Sequence, residues 1–194
     1  MNIVKGVYDR KKQTEMHTAL NMLNSSLALL WLVGVSTGYR VSDLLSMRAY
    51  SGKYDTLTII EAKTGKTRIV RLPKRVAGEM CKHVRDNTLD DLGHFLFFGR
   101  DRSTPITRQH AHRVFRSVGL SLGLDAIGTH SMRKTYAYNV LVATKSFQHV
   151  QFSLNHTYLS TTILYLIDGL TALLPKPGRL GIPPVSVVAT SLPG

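Results

Sequence analysis

Residues 129–168, THSMRKTYAYNVLVATKSFQHVQFSLNHTYLSTTILYLID, decide how the rest of the chain is read. The stretch holds His130 and Arg133, a later histidine, His156, and then Tyr165. His130 and Arg133 are expected in the first turn of a helix reaching about Ala143. Residues three apart on a helix are surface neighbours, so an imidazole and a guanidinium would project side by side. Tyr165 is expected one turn into a further short helix, with Ser160 as its N-cap. Cations beside a phenol point to chemistry on a phosphate, with the tyrosine as attacking group.

The 194 residues suffice for one domain with a proper core. Against 12 Asp+Glu stand 25 Lys+Arg, a net charge of +13. That excess is what a polyanion-binding surface looks like in composition, although ribosomal, membrane-surface and secreted cationic proteins share it. The single cysteine, Cys81, excludes an internal disulfide framework and a cysteine-based zinc site, so a reducing compartment is expected. The strongest apolar run, LALLWLVGV at residues 27–35, falls short of the about 20 residues that span a bilayer and reads as a core helix. The opening residues, MNIVKGVYDRKKQ, hold no apolar signal region.

Residues 1–13 read as a short basic arm. Over 14–35, Met16, Leu20, Leu23, Leu27, Leu30 and Trp31 recur at helical spacing, giving one long helix or two in succession that end before Thr37-Gly38. In STGYRVSDLLSMR, residues 36–48, Gly38 permits a tight turn and Ser42 or Asp43 can open a helix. Arg40 then stands at a helix entrance; the bland alternative is a surface ion pair with Asp43. Residues 55–61 and 67–72 are β-rich and flank the turn Ala62-Lys63-Thr64-Gly65-Lys66, which predicts a hairpin. Residues 63–75 hold six Lys/Arg and no acid, a ribbon suited to a phosphate backbone. A helix is expected from about Pro73 to His83, and a short buried strand or turn over 92–98. Thr104-Pro105 fits the start of another helix reaching about Leu122, on which Arg113 and Arg116 could share a face. His110 and His112 suggest a metal only weakly, because residues two apart do not share a helix face. Residues 175–194 carry five of the seven prolines and read as an extended tail.

With Arg40, Lys63, His130, Arg133, His156 and Tyr165 in this order, the chain resembles the tyrosine recombinase (phage integrase) family. The matching segments are TGYRVSDLL, KTGKTRIVRLP, THSMRKTYA and LNHTYLSTTILYL. Any one is weak evidence; four in order are specific. The resemblance implies an α+β catalytic domain, mainly α-helical with a small antiparallel β-sheet (the DNA breaking-rejoining enzyme fold), over residues 14–170, between the arm and a tail over 171–194. It also implies a mechanism. Tyr165 would attack the scissile phosphodiester and form a 3′-phosphotyrosine, releasing a 5′-hydroxyl. Arg40 and Arg133 would clamp the non-bridging oxygens. Lys63 would protonate the leaving oxygen, with Lys66 as the alternative lysine. His130 would assist proton transfer, and His156 would hydrogen-bond a phosphate oxygen. No metal or other cofactor is required. Lys66, Arg68, Arg71, Arg108, Arg113 and Arg116 are the expected DNA contacts, whereas His17, His83, His94 and His149 are expected to be structural.

By the same resemblance the partner is double-stranded DNA, bound by a homodimer on one site and a homotetramer in synapsis, with an accessory DNA-bending protein and no membrane. The setting is the cytoplasm of a prokaryote, at the nucleoid, the chain being phage- or mobile-element-encoded. The chain departs from the family in three respects, of which one is the Pro-rich tail: in many relatives the segment after the nucleophile packs on a neighbouring protomer, and this tail is not expected to. Asn155 stands where the family has glycine in Leu-Gly-His, and asparagine tolerates a left-handed backbone better than most residues. Longer members carry an N-terminal helical clamp, so with 39 residues before Arg40 weaker, more salt-sensitive binding is expected. Two other readings share the pattern: a type IB topoisomerase-like relaxation of DNA, and a non-catalytic DNA-binding regulator derived from a recombinase.

Overall fold

A computed structural model describes residues 4–50, 54–90 and 93–173. Its centre is a helix that has no polar face. Helix α2 (Ser25–Thr37) buries Leu27, Leu29, Leu30, Trp31 and Val33, and it packs against α1 (Arg10–Leu23), α4 (Lys74–Asp86) and α6 (Thr129–Thr144). A helix apolar all round has to be surrounded, and the other elements are arranged to do so. Trp31 meets Phe115 of α5 (Arg108–Ser121) edge to face at 5.6 Å. A smaller core of Ala137, Leu141, Val150, Leu154 and Leu166 joins α6 to α7 (Phe147–Ser153) and α8 (Leu159–Leu173).

The expected hairpin is present. Strands β1 (Thr56–Ile60) and β2 (Thr67–Arg71) pair antiparallel, with Leu57 opposite Val70 and Ile59 opposite Arg68 on the inner face. Glu61 N–H donates to Lys66 O at 3.0 Å and closes a four-residue turn, in which Gly65 adopts φ +66. The remaining short helix, α3 (Val41–Leu45), follows α2 directly. The protein is therefore mainly helical, with a two-stranded antiparallel sheet.

Several boundaries differ from expectation, each for a local reason. The basic arm is shorter than residues 1–13. Asp9 caps α1 by accepting from Lys11 N–H at 2.7 Å, so the helix starts at Arg10. The described residues just before it are anchored: Val7 is buried and its N–H donates to Thr135 Oγ1 at 2.8 Å. The helix expected to begin at Thr104-Pro105 starts at Arg108 with Thr107 as cap, because Pro105 is taken up in a β-bridge with Phe98. The last helix is not short. It runs through Leu173, and Ser160 lies inside it rather than capping it. The Pro-rich tail lies outside the described residues, apart from Thr171, Ala172 and Leu173, which belong to α8. Among the described residues, no helix is long and apolar enough to cross a membrane.

Asn155 shows why the departure from glycine is tolerated. It adopts φ +60, its N–H donates to Phe152 O and His156 N–H donates to Gln151 O, both at 3.0 Å. This is a Schellman ending for α7, and it delivers His156 to the site.

Candidate active site

Arg40 and Arg133 reach the same place from opposite parts of the chain. Arg40 follows the end of α2, where Gly38 takes a left-handed conformation (φ +65) and Tyr39 is wholly buried. The Tyr39 hydroxyl lies 2.8 Å from Leu57 O and 2.9 Å from Arg68 O, which ties this turn to the hairpin. Arg133 sits in the first turns of α6 and is 4% exposed. It donates to Gly38 O at 2.5 Å and to Leu154 O at 2.7 Å, and so bridges the end of α2 to the turn before His156. Burial first, then Arg40 and Arg68, lower its pKa to about 10, against the pull of Tyr165 and Glu61; it still carries its charge near neutral pH.

Between the two guanidiniums lies a carboxylate that the sequence reading passed over. Glu61 is fully buried, with Oε2 2.6 Å from Arg40 Nη1 and Oε1 3.9 Å from Arg133 Nη1. Thr64 Oγ1 donates to Oε2 at 2.8 Å. Burial works to raise the Glu61 pKa, but Arg40, Thr64 and Arg133 together outweigh it and hold it below its ordinary value. Arg40 therefore pairs with Glu61 and not with Asp43. The buried Asp43 instead accepts from Ala62 N–H at 3.3 Å. A usable signal was present in the sequence: Glu61 is an acid that follows β1 and stands directly before a cationic turn.

His156 and Tyr165 complete the cluster. Their rings meet edge to face at 5.6 Å. Burial, then Arg133 and Arg40, lower the His156 pKa to about 4, so the ring is neutral near pH 7. Its Nδ1 lies 3.0 Å from Thr162 Oγ1. The Tyr165 hydroxyl is buried and makes no hydrogen bond of standard geometry with any described residue. Burial raises its pKa to about 12, while Arg133 and Arg40 act in the opposite direction. Lys134 Nζ lies 5.7 Å from the Tyr165 ring centroid and pairs with Asp168 at 2.5 Å, which seats α8 on α6.

The other candidates are placed at the rim or away from it. Lys63 and Lys66 are both exposed on the hairpin turn, Lys63 within the loop and Lys66 opposite Glu61 at its base. His130 is exposed at the start of α6. What cover it has, followed by Arg108, Arg133, Arg40 and Lys134, lowers its pKa. Arg71, Arg108, Arg113 and Arg116 are exposed. Arg68 corrects the expected list of DNA contacts. It points inward, donates to Thr37 O, and holds its guanidinium 4.6 Å from the Tyr39 ring centroid. The two-residue period of β2 turns Arg68 to the inner face together with Val70, and Ile69 and Arg71 to the outer one. His110 and His112 diverge, His110 toward Arg113 and His112 against Gly128. Among the described residues no three His, Cys, Asp or Glu side chains are grouped to hold a metal ion.

Comparison with known proteins agrees with this architecture. The model of the phage integrase family matches residues 10–168. The chain is 29% identical over 167 residues to the probable integrase/recombinase YoeC of Bacillus subtilis, covering 86% of this chain and 91% of that protein. It is 26% identical over 145 residues to the tyrosine recombinase XerA of Pyrococcus furiosus, covering 74% of this chain but only 50% of that one. Its fold is similar to the crystal structure of XerA recombinase, with a TM-score of 0.70 at 20% identity, over 90% of this chain and 67% of that one. A lambda integrase dimer bound to a COC′ core site gives a TM-score of 0.69 at 18% identity, over 87% and 50%.

Proposed function

Since the chain belongs to the phage integrase family, as a tyrosine recombinase catalytic domain, we propose that it cuts and rejoins specific duplex DNA sites through a 3′-phosphotyrosine. The observation that carries this reading is that two guanidiniums gathered on Glu61 also act on the buried hydroxyl of Tyr165. Fixed guanidinium forks suit the non-bridging oxygens of a phosphodiester, and they keep their charge as negative charge builds in the transition state.

A phenol with a pKa of about 12 is almost entirely protonated at neutral pH, so proton removal has to accompany attack. His130, held neutral near pH 7 by its lowered pKa, suits the acceptor role. Tyr165 Oη then bonds to phosphorus and the P–O5′ bond breaks. Lys63 supplies the proton to the departing 5′-oxygen, and His156 donates a hydrogen bond to a non-bridging oxygen. Rejoining is the reverse, with a 5′-hydroxyl displacing tyrosine, so the bond energy is conserved without ATP. Duplex DNA is the proposed partner, bound by a homodimer on one site and a homotetramer in synapsis, in the bacterial cytoplasm.

The test uses duplexes nicked near the cleavage position and drawn from the DNA flanking the chain's own gene. The intact protein should become covalently linked to one of them, and Tyr165→Phe should not. An adduct with Tyr165→Phe, or none across the whole set, overturns the proposal. Relaxation of any plasmid without site preference would favour the topoisomerase-like activity instead.

A further inference from the structure

Thr162 is fully buried on α8, one turn before Tyr165, and its Oγ1 lies 3.0 Å from His156 Nδ1. Three other threonines in helices among the described residues turn their hydroxyl back to a carbonyl four residues earlier, as Thr144 does to Val140 O at 2.8 Å and Thr37 to Val33 O at 2.7 Å. Thr162 makes no such bond. Among the described residues, His156 Nδ1 is its hydroxyl's hydrogen-bond partner. Were Nδ1 to donate instead, the buried hydroxyl would accept and its own proton would have no acceptor among the described residues, so the arrangement that satisfies both groups has the hydroxyl donating to Nδ1.

We infer that Thr162 is a positioning residue that holds His156 as the tautomer protonated on Nε2, leaving a neutral N–H donor for the phosphate. The ring nitrogen that accepts from Thr162 cannot carry the proton, so the proton resides on Nε2, on the other side of the ring. The surroundings keep the ring neutral: burial, Arg133, Arg40 and Arg68 disfavour imidazolium, and Glu61 alone acts against them. Thr162 and Tyr165, three apart on one helix, also lie on the same face, so a shift of α8 would move the nucleophile and the histidine's anchor together.

The role in cleavage rests on the recombinase reading; the tautomer does not. Long-range proton–nitrogen correlation on the uniformly ¹⁵N-labelled protein near pH 7 reads each histidine's tautomer, with His156→Gln identifying the resonance. The wild type should show His156 protonated on Nε2 with Nδ1 as acceptor. Thr162→Ser should keep that pattern, and Thr162→Val should lose it. Adduct formation on a nicked duplex should fall by roughly tenfold or more in Thr162→Val and recover in Thr162→Ser, as for other partners that orient a working histidine. A wild-type His156 protonated on Nδ1, or a Thr162→Val protein with an unchanged tautomer, overturns the inference. If the tautomers behave as stated but the wild type forms no adduct, it is the recombinase reading that falls.

Discussion

The Glu61 carboxylate lies 2.6 Å from the Arg40 guanidinium with no solvent access of its own, although the two residues belong to different elements. Glu61 neutralises part of the charge at the site. Its backbone carbonyl also accepts from Thr64 N–H at 3.1 Å and Gly65 N–H at 2.8 Å, in the turn that carries Lys63. One residue thus fixes the arginine pair and the lysine-bearing loop together. Glu61→Gln removes the charge while leaving both guanidiniums in place. Removing one member of a buried pair is strongly destabilising, so a loss of about 3 kcal/mol is expected in urea unfolding near neutral pH.

The same residue sets a pH signature. The folded pKa of Glu61 lies below its ordinary value. Its stabilisation is therefore fully present above the unfolded carboxylate pKa and is lost as pH falls through the folded one. Wild-type unfolding free energy should drop across that acid window, and Glu61→Gln should drop less. Parallel slopes in the two proteins would show that Glu61 does not titrate as described.

Gly38 is constrained twice. Its φ of +65 disfavours any side chain, and a Cβ built there would lie 2.2 Å from Tyr136 Cδ1. Gly38→Ala should cost about 1 kcal/mol for the left-handed backbone and roughly 2 kcal/mol more for the overlap. Combining it with Tyr136→Ala removes the overlap, so the two losses should fall short of additivity by about 1 kcal/mol or more in a double-mutant cycle. Strict additivity would mean that the ring moves aside freely.

How much of this was legible in the sequence depends on the range of the interaction. Arg40, Arg133, His156 and Tyr165 could be named because four short segments in order resemble those of the phage integrase family, and the hairpin could be named from two β-rich runs around a glycine turn. Asn155 was readable as a glycine substitute because its tolerance of positive φ is a local property. Glu61 carried a local signal, an acid directly before a cationic turn, but its partners are two arginines distant along the chain and that signal does not name them. Arg68 was misread since a five-residue strand with apolar residues on both faces does not say which face is inward. The start of α5 was misread because a proline that suits a first helical turn also suits the bridge to Phe98, and tertiary pairing decided between them.

The Lys134–Asp168 pair ties α8, the helix that carries Tyr165, to α6. The two side chains are 14% and 21% exposed, so water only partly screens the pair. Asp168→Asn should weaken the seating of α8 by about 1 kcal/mol, read as a roughly fivefold loss of amide exchange protection there, with α2 unaffected. Equal losses in α2 and α8 would mean that α8 opens only with global unfolding.

Arg68 and Arg71 lie three apart on one strand yet should behave oppositely. Arg71 is on the outer face of the hairpin, free to meet a phosphate, whereas Arg68 is committed to Thr37 O and the Tyr39 ring. A phosphate contact releases counterions, so log K for duplex DNA falls against log salt with a slope of about 0.9 per phosphate neutralised. Arg71→Ala should flatten that slope by about one contact without changing the unfolding midpoint. Arg68→Ala should leave the slope of the folded protein unchanged and lower its stability by about 2–3 kcal/mol, because buried carbonyl and ring partners are left behind. Measured by fluorescence anisotropy across a salt series and by urea unfolding, the reverse pattern would place the cationic face of the hairpin on the wrong side of the sheet.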